Sequence, residues 1–225
     1  MNLYKKNLDK LIKGNVYDPS YEHDACGVGF VASTEGVRSR KVVEFGIQAL
    51  KAVWHRGAVD ADGKTGDGAG IHIEIPSDFF EERIRNAGRQ HNEGKICVGM
   101  VFLPRNDYPA QEKCKTLIEN ELLSKNYYIY RWRQVPVNTG VLGLKAESNR
   151  PEIVQIIFKS NNKNLIQDEL ERDLFVVRKK IEKKINYEKI RDFYICSFSS
   201  RSIIYKGMFL AEALSEFYPD LMDKR

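Results

Sequence analysis

Strand-like and helix-like stretches mix along this sequence without a regular βαβ alternation, and that order constrains the fold more than any other feature. It points to an α+β fold whose sheet is at least partly antiparallel. Residues 96–103 form an apolar run of strand length. Residues 164–185 read as a charge-rich helix with Leu165, Leu170, Leu174, Val177 and Ile181 as its apolar stripe. Nearer the start, Val42, Val43, Phe45, Ile47, Leu50, Val53 and Trp54 place an apolar face on a helix over 41–54. Residues 26–33 read as a buried strand followed by a turn at Thr34-Glu35-Gly36. Residues 71–75 alternate like a half-buried strand, and Ser77 is the expected N-cap of a short helix through Arg85. Further helices are expected over 111–123 and 210–217, and strands over 127–135, 153–158, 193–198 and 202–205. Residues 1–25 look like a polar leader outside the core, and residues 218–225 like a polar tail that closes no domain.

With 225 residues, 42% of them apolar, there is ample material for a core. Acids are interleaved with lysines and arginines almost everywhere, so the net charge of +5 gives no footprint for nucleic acid. The run from Arg178 to Lys184 is interrupted by Glu182 and has no interleaved aromatics, which reads as a solvated helix face. No stretch approaches the roughly 18 apolar residues that span a bilayer, and the N-terminus lacks the apolar core of a signal peptide. The expectation is a cytoplasmic protein with no membrane partner.

Four cysteines stand at 26, 97, 114 and 196, without a CxxC pair or the spacing of a zinc site or secreted disulfide framework. Cys97 sits inside an apolar run, as a structural cysteine does. Cys26 differs. It follows the acidic, turn-like Tyr21-Glu22-His23-Asp24-Ala25 and precedes Gly27-Val28-Gly29-Phe30, where small neighbours leave room for a reactant. Cys26 is therefore the candidate for chemistry, with His55 or His72 as conceivable bases in a papain-like pair.

The glycine-rich stretch Gly63-Lys64-Thr65-Gly66-Asp67-Gly68-Ala69-Gly70 fails two phosphate and metal readings. Five residues, not four, separate Gly57 from Gly63-Lys64-Thr65, and the glycines that follow suit a helix poorly. As a calcium loop starting at Asp60, it would put Lys64 at the fifth ligand position and Ile71 where a bidentate acid belongs.

Taken together, Tyr17-Asp18-Pro19, residues 22–30, His55-Arg56-Gly57-Ala58, residues 65–71, residues 193–197, Tyr205-Lys206-Gly207-Met208 and residues 216–221 form an ordered set of blocks. In them the sequence resembles the amino-terminal amidotransferase domain of glutamate synthase large subunits, within the N-terminal-nucleophile, class II glutamine amidotransferases. The resemblance covers most of the chain, in outline only over about 80–190. It implies a four-layer α-β-β-α sandwich, incomplete at the C-terminus. It implies that 1–25 is a propeptide removed between Ala25 and Cys26, and that 26–225 is a partial amidotransferase domain.

Cys26 would then be the nucleophile on L-glutamine, releasing glutamate and ammonia through a thioester. A freed α-amine, with a pKa of roughly 7.7–8, can take the thiol proton, so no distant histidine is needed. The resemblance gives Arg56 and Gly57 the ordering of the substrate loop, and it gives the glycines at 66, 68 and 70 close packing of loop against strand. The family's oxyanion-hole Asn-Gly pair occurs nowhere in residues 1–225, and the resemblance places it downstream. No cofactor or metal is expected in this chain. FMN and an iron–sulfur cluster belong to the family's synthase region, which receives the ammonia on 2-oxoglutarate. The implied partners are the rest of the large subunit and an electron-donating subunit or ferredoxin. The competing expectation is a non-catalytic remnant that acts only in partner binding or regulation.

Overall fold

The computed structural model describes residues 27–53, 58–162 and 165–225, with residues 6, 7, 10, 13 and 14 ahead of them. Its elements are α1 (Arg40–Ala52), β1 (Ala69–Glu74), α2 (Ser77–Arg85), β2 (Cys97–Leu103), α3 (Tyr108–Ser124), β3 (Tyr127–Gln134), α4 (Leu144–Ser148), β4 (Glu152–Ser160), α5 (Gln167–Tyr187), β5 (Tyr194–Ser199), β6 (Ser202–Gly207) and α6 (Leu214–Phe217). Short 3₁₀ turns at Thr139–Val141, Ala211–Ala213 and Pro219–Met222 complete the set. The strands form two antiparallel sheets, one of four strands ordered β3-β4-β2-β5 and one of two, β1-β6. The α+β expectation holds.

β2 explains why residues 96–103 are apolar throughout. The strand lies inside the four-stranded sheet, and both of its faces are covered. On one face Val101 and Leu103, with Ile156 and Phe158 of β4, pack against Ile118 and Leu122 of α3 and Leu174, Val177 and Ile181 of α5. On the other, Val98 and Met100 join Phe79, Phe80 and Ile84 of α2, Ile203 and Tyr205 of β6, and Phe217, Tyr218 and Leu221. The basic run of α5 stays in solvent, paired with acids: Arg178 and Lys179 with Glu182, and Lys184 with Glu121 of α3 at 2.6 Å.

Three expectations are corrected. Residues 27–33 are not a strand, and Val28 and Phe30 are 91% and 88% exposed. β-structure reflects packing on neighbouring strands more than intrinsic preference, and this segment joins no ladder among the described residues. Ser77 is the first residue of α2, not its cap; Pro76 holds the cap position without a side-chain bond.

The tail is the third correction, because it is core. Tyr218 and Leu221 are buried, and Asp220 makes a two-pronged ion pair with Arg133 of β3, both contacts at 2.7 Å. Gln155 of β4 accepts from the same guanidinium at 2.8 Å and donates to the Tyr205 hydroxyl at 3.3 Å, while that hydroxyl donates to Asp220 at 3.3 Å. The Tyr218 hydroxyl donates to the Lys206 carbonyl at 2.8 Å. A polar-looking segment is thus fixed by one buried hydrogen-bonded network.

Candidate active site

The loop between α1 and β1 is a short hairpin. Asp60 N–H donates to the Thr65 carbonyl at 2.9 Å, Gly63 N–H to the Asp60 carbonyl at 2.9 Å, and Asp67 N–H to the Ala58 carbonyl at 3.2 Å, with a bridge between Val59 and Gly66. The Asp62 carboxylate accepts from Lys64 N–H at 3.0 Å, Thr65 N–H at 2.7 Å and the Thr65 hydroxyl at 2.6 Å. These donors, the hydroxyl foremost, hold the Asp62 carboxyl well below the usual carboxylate range. The carboxylate that a calcium loop would have presented to a cation is already occupied by the hairpin itself.

Beyond the turn the chain passes tightly under β6. A Cβ at Gly66 would stand 2.7 Å from the carbonyl carbon of Phe209 and 2.9 Å from Leu210 N, and one at Gly70 would stand 2.7 Å from Lys206 Cβ. Gly66→Ala is accordingly expected to cost about 1–3 kcal/mol of stability, measured by urea unfolding, because it is backbone that must move.

A cleft of about 670 Å³ opens where the hairpin enters β1. Its walls are mostly apolar, with Phe102, Leu142, Ile153 and Phe217 among them, and Asp67, Arg150 and Lys206 add charge. Lys206 donates to the Tyr194 hydroxyl at 3.0 Å and lies over that ring. None of the three described cysteines lines the cleft.

All three are buried free thiols. Burial pushes Cys114 and Cys196 up to about 11, and Cys97 further still. A thiol that stays protonated is a poor nucleophile. Of the four cysteines, these three are suited to packing and not to attack. They also do not converge: Cys97 and Cys114 belong to one core and Cys196 to the other. Among the described residues no group of three or more His, Cys, Asp or Glu could hold a metal. No described helix is long and apolar enough to cross a membrane.

Ala25, Cys26, Arg56 and Gly57, the residues singled out in the sequence, lie outside the described residues, as does His55. His72 is an exposed residue of β1. What the structure does define is the frame around residues 54–57. On one side Val53 closes α1, its N–H donating to the Leu50 carbonyl at 3.3 Å; on the other Ala58 opens the hairpin. Sequence reasoning missed the segment that backs this hairpin, residues 143–146. Its contacts are long-range, and only the isolated Gly143 hinted at a close approach.

The sequence matches the family model described as glutamine amidotransferases class-II over residues 26–225. It is 56% identical over 222 residues to the glutamate synthase [NADPH] large chain of Azospirillum brasilense, covering 99% of this chain and 15% of that protein. It is 42% identical over 204 residues to the ferredoxin-dependent glutamate synthase of Pyropia yezoensis, covering 89% of this chain and 13% of that one. To the glutamate synthase [NADH] of Saccharomyces cerevisiae it is 36% identical over 218 residues, covering 93% of this chain and 10% of the relative. The chain thus spans between 10% and 15% of the length of these curated relatives. With a family match that runs from Cys26 through the buried tail, this chain belongs to the class-II glutamine amidotransferases.

Proposed function

We propose that this chain carries the glutaminase step of a glutamate synthase, with Cys26 as nucleophile and Ala25–Cys26 as the processing site. The observation that carries the proposal is where the family match begins. It starts at Cys26, which supports reading 1–25 as a propeptide and 26–225 as part of an amidotransferase domain. The burial of the other three thiols supports the same choice. The fold of the complete domain is then the four-layer α-β-β-α sandwich of N-terminal nucleophile hydrolases, of which two antiparallel sheets are described here.

The chemistry follows from one residue carrying both nucleophile and base. The freed α-amine accepts the thiol proton, and the thiolate adds to the side-chain amide carbon of L-glutamine. The proton passes to the departing nitrogen, ammonia leaves, and a γ-glutamyl thioester remains. Water then adds to the thioester, releasing glutamate and restoring the thiol. Arg56 and Gly57 order the loop beside Cys26. Oxyanion donors come from outside residues 1–225, which contain no Asn-Gly pair.

Ammonia passes to a synthase site acting on 2-oxoglutarate elsewhere in the large subunit. FMN and an iron–sulfur cluster belong there too; the described cysteines of this chain sit apart in two cores and do not fit a cluster. The relatives' names include NADPH, NADH and ferredoxin forms, and the partner is accordingly an electron-donating subunit or ferredoxin.

The test is mass spectrometry of the native-length protein from its own source, before and after treatment with a diazoketone analogue of glutamine. The expected result is an N-terminus at Cys26 and a single adduct on that residue, with Cys97, Cys114 and Cys196 unmodified. An intact Met1 together with no adduct would favour a non-catalytic remnant and sink the proposal.

A further inference from the structure

α5 is buried along one face only. Leu170, Leu174, Val177, Ile181 and Ile185 pack into the core, and the opposite face is turned to solvent. That outward face carries Arg172, Phe175, Val176, Lys179 and Lys183, at i, i+3, i+4, i+7 and i+11, which helical spacing sets on one side. Phe175 is 59% exposed and Val176 44%. Single apolar residues scattered on a surface are ordinary. Here two stand side by side in the middle of a cationic face, where helix propensity alone would favour Lys, Glu or Ala.

The ion pairs of α5 single out the same face. Arg178 and Lys179 pair with Glu182, while Lys180 and Lys184 both reach Glu121 of α3, at 3.7 and 2.6 Å. Arg172 and Lys183 are the exceptions, since neither makes an ion pair among the described residues. Arg172 feels Asp168 only at a distance, because that carboxylate is bonded to Arg201. Lys179 adds to the positive field, its ammonium lying 5.8 Å from the centre of the Phe175 ring. The cations on the flanks of α5 thus have acids within the domain. The two that bracket Phe175 and Val176 have none.

An apolar centre with charges at its ends is the make-up of a protein contact, in which the centre excludes water and the rim selects the partner. A second copy of this chain is a poor occupant. In a two-fold contact the stripe would meet itself and set Arg172 against Lys183. The complementary surface has an apolar centre and acids at its rim. The chain spans 15% of the Azospirillum brasilense relative, and contacts between domains of one chain are of this mixed, moderately polar kind. We propose that the outward face of α5 docks against an acidic, apolar-centred surface of the remainder of its own large subunit, with Phe175 and Val176 at the centre and Arg172 and Lys183 paired with acids at the ends. This rests on the reading of the chain as part of a glutamate synthase large subunit.

The experiment uses the native-length protein, carbodiimide coupling of lysines to carboxylates, and hydroxyl-radical oxidation of Phe175, both read by mass spectrometry. The expected result is Lys179 or Lys183 joined to an Asp or Glu outside residues 1–225 of the same polypeptide. Because the contact is intramolecular, its yield should hold on about tenfold dilution. Phe175→Asp keeps both lysines but sets an acid against acids, and is expected to abolish the link. Arg172→Glu is expected to speed oxidation of Phe175 by about fivefold, since a docked ring loses most of the 59% exposure it has in this domain alone.

Should Phe175→Asp fail to fold, Arg172→Glu decides the matter: faster oxidation of Phe175 supports the docking and an unchanged rate overturns it. Links confined to residues 1–225, with Phe175 oxidised equally fast in wild type and Arg172→Glu, overturn the docking alone. A link to a different polypeptide, or protection of Phe175 that disappears on nuclease treatment, overturns it in favour of a separate partner. A native polypeptide with no region beyond the amidotransferase domain removes the large-subunit reading and the docking with it.

Discussion

Asp220→Ala is expected to destabilise the fold by about 3–5 kcal/mol, because it leaves a buried guanidinium without its partner. The side chains of Arg133 and Asp220 are only 9% and 5% exposed, so little water can take over. Gln155 would still accept from Arg133, but a neutral amide offsets little of the charge. The Tyr205 hydroxyl would also lose the acceptor at 3.3 Å. Natural domains hold about 5–15 kcal/mol in total, so this one change removes a large share. The thermal midpoint should fall by roughly 10 °C, with urea unfolding giving the free energy. Replacing both partners together, Arg133→Met with Asp220→Leu, should recover much of the loss, since apolar pairs of similar volume often match buried ion pairs. A loss below about 1 kcal/mol for Asp220→Ala would show that the pair is solvated, against the geometry.

The second large effect concerns the proposed nucleophile. Cys26→Ala is expected to lower glutamine hydrolysis by about 10⁴-fold or more, the range seen when a covalent nucleophile is removed. The thermal midpoint should stay put, because Cys26 is asked to react and not to pack. Glutamate formation driven by added ammonia bypasses the thioester and should persist in the native-length variant. That contrast separates loss of the nucleophile from loss of the fold. Cys114→Ser should behave in the opposite way, leaving the chemistry intact while costing stability, since it buries a hydroxyl in an apolar core. Glutamine hydrolysis that survives Cys26→Ala would remove the proposal.

Elements that depend on local pattern were legible in the sequence. β2 was visible because both of its faces are apolar, and α5 because its stripe repeats at helical spacing, although the helix starts at Gln167 and not at 164. Residues 27–33 were misread because a glycine-spaced apolar run makes a strand only when an edge receives it. The tail was misread for the opposite reason. Its polar residues are anchored by Arg133, far away in sequence, and no spacing rule announces that Asp220 will meet it. The site divides the same way. Cys26, Arg56 and Gly57 are candidates from motif alone and lie outside the described residues. The use of Asp62 and Thr65 by residues 143–146 was not legible, because it depends on a close approach between distant segments.

The pairing of β1 with β6 has a consequence for synthesis. Ala69 faces Gly207 and Glu74 faces Ser202, so β1 leaves the ribosome long before its partner exists. Residues 97–160 hold β2, α3, β3 and β4 as near neighbours, and can assemble while the rest is still being made. β1, and the hairpin that leads into it, must wait for β6 to emerge. On that schedule β1 and its hairpin are made early and are among the last parts to be seated.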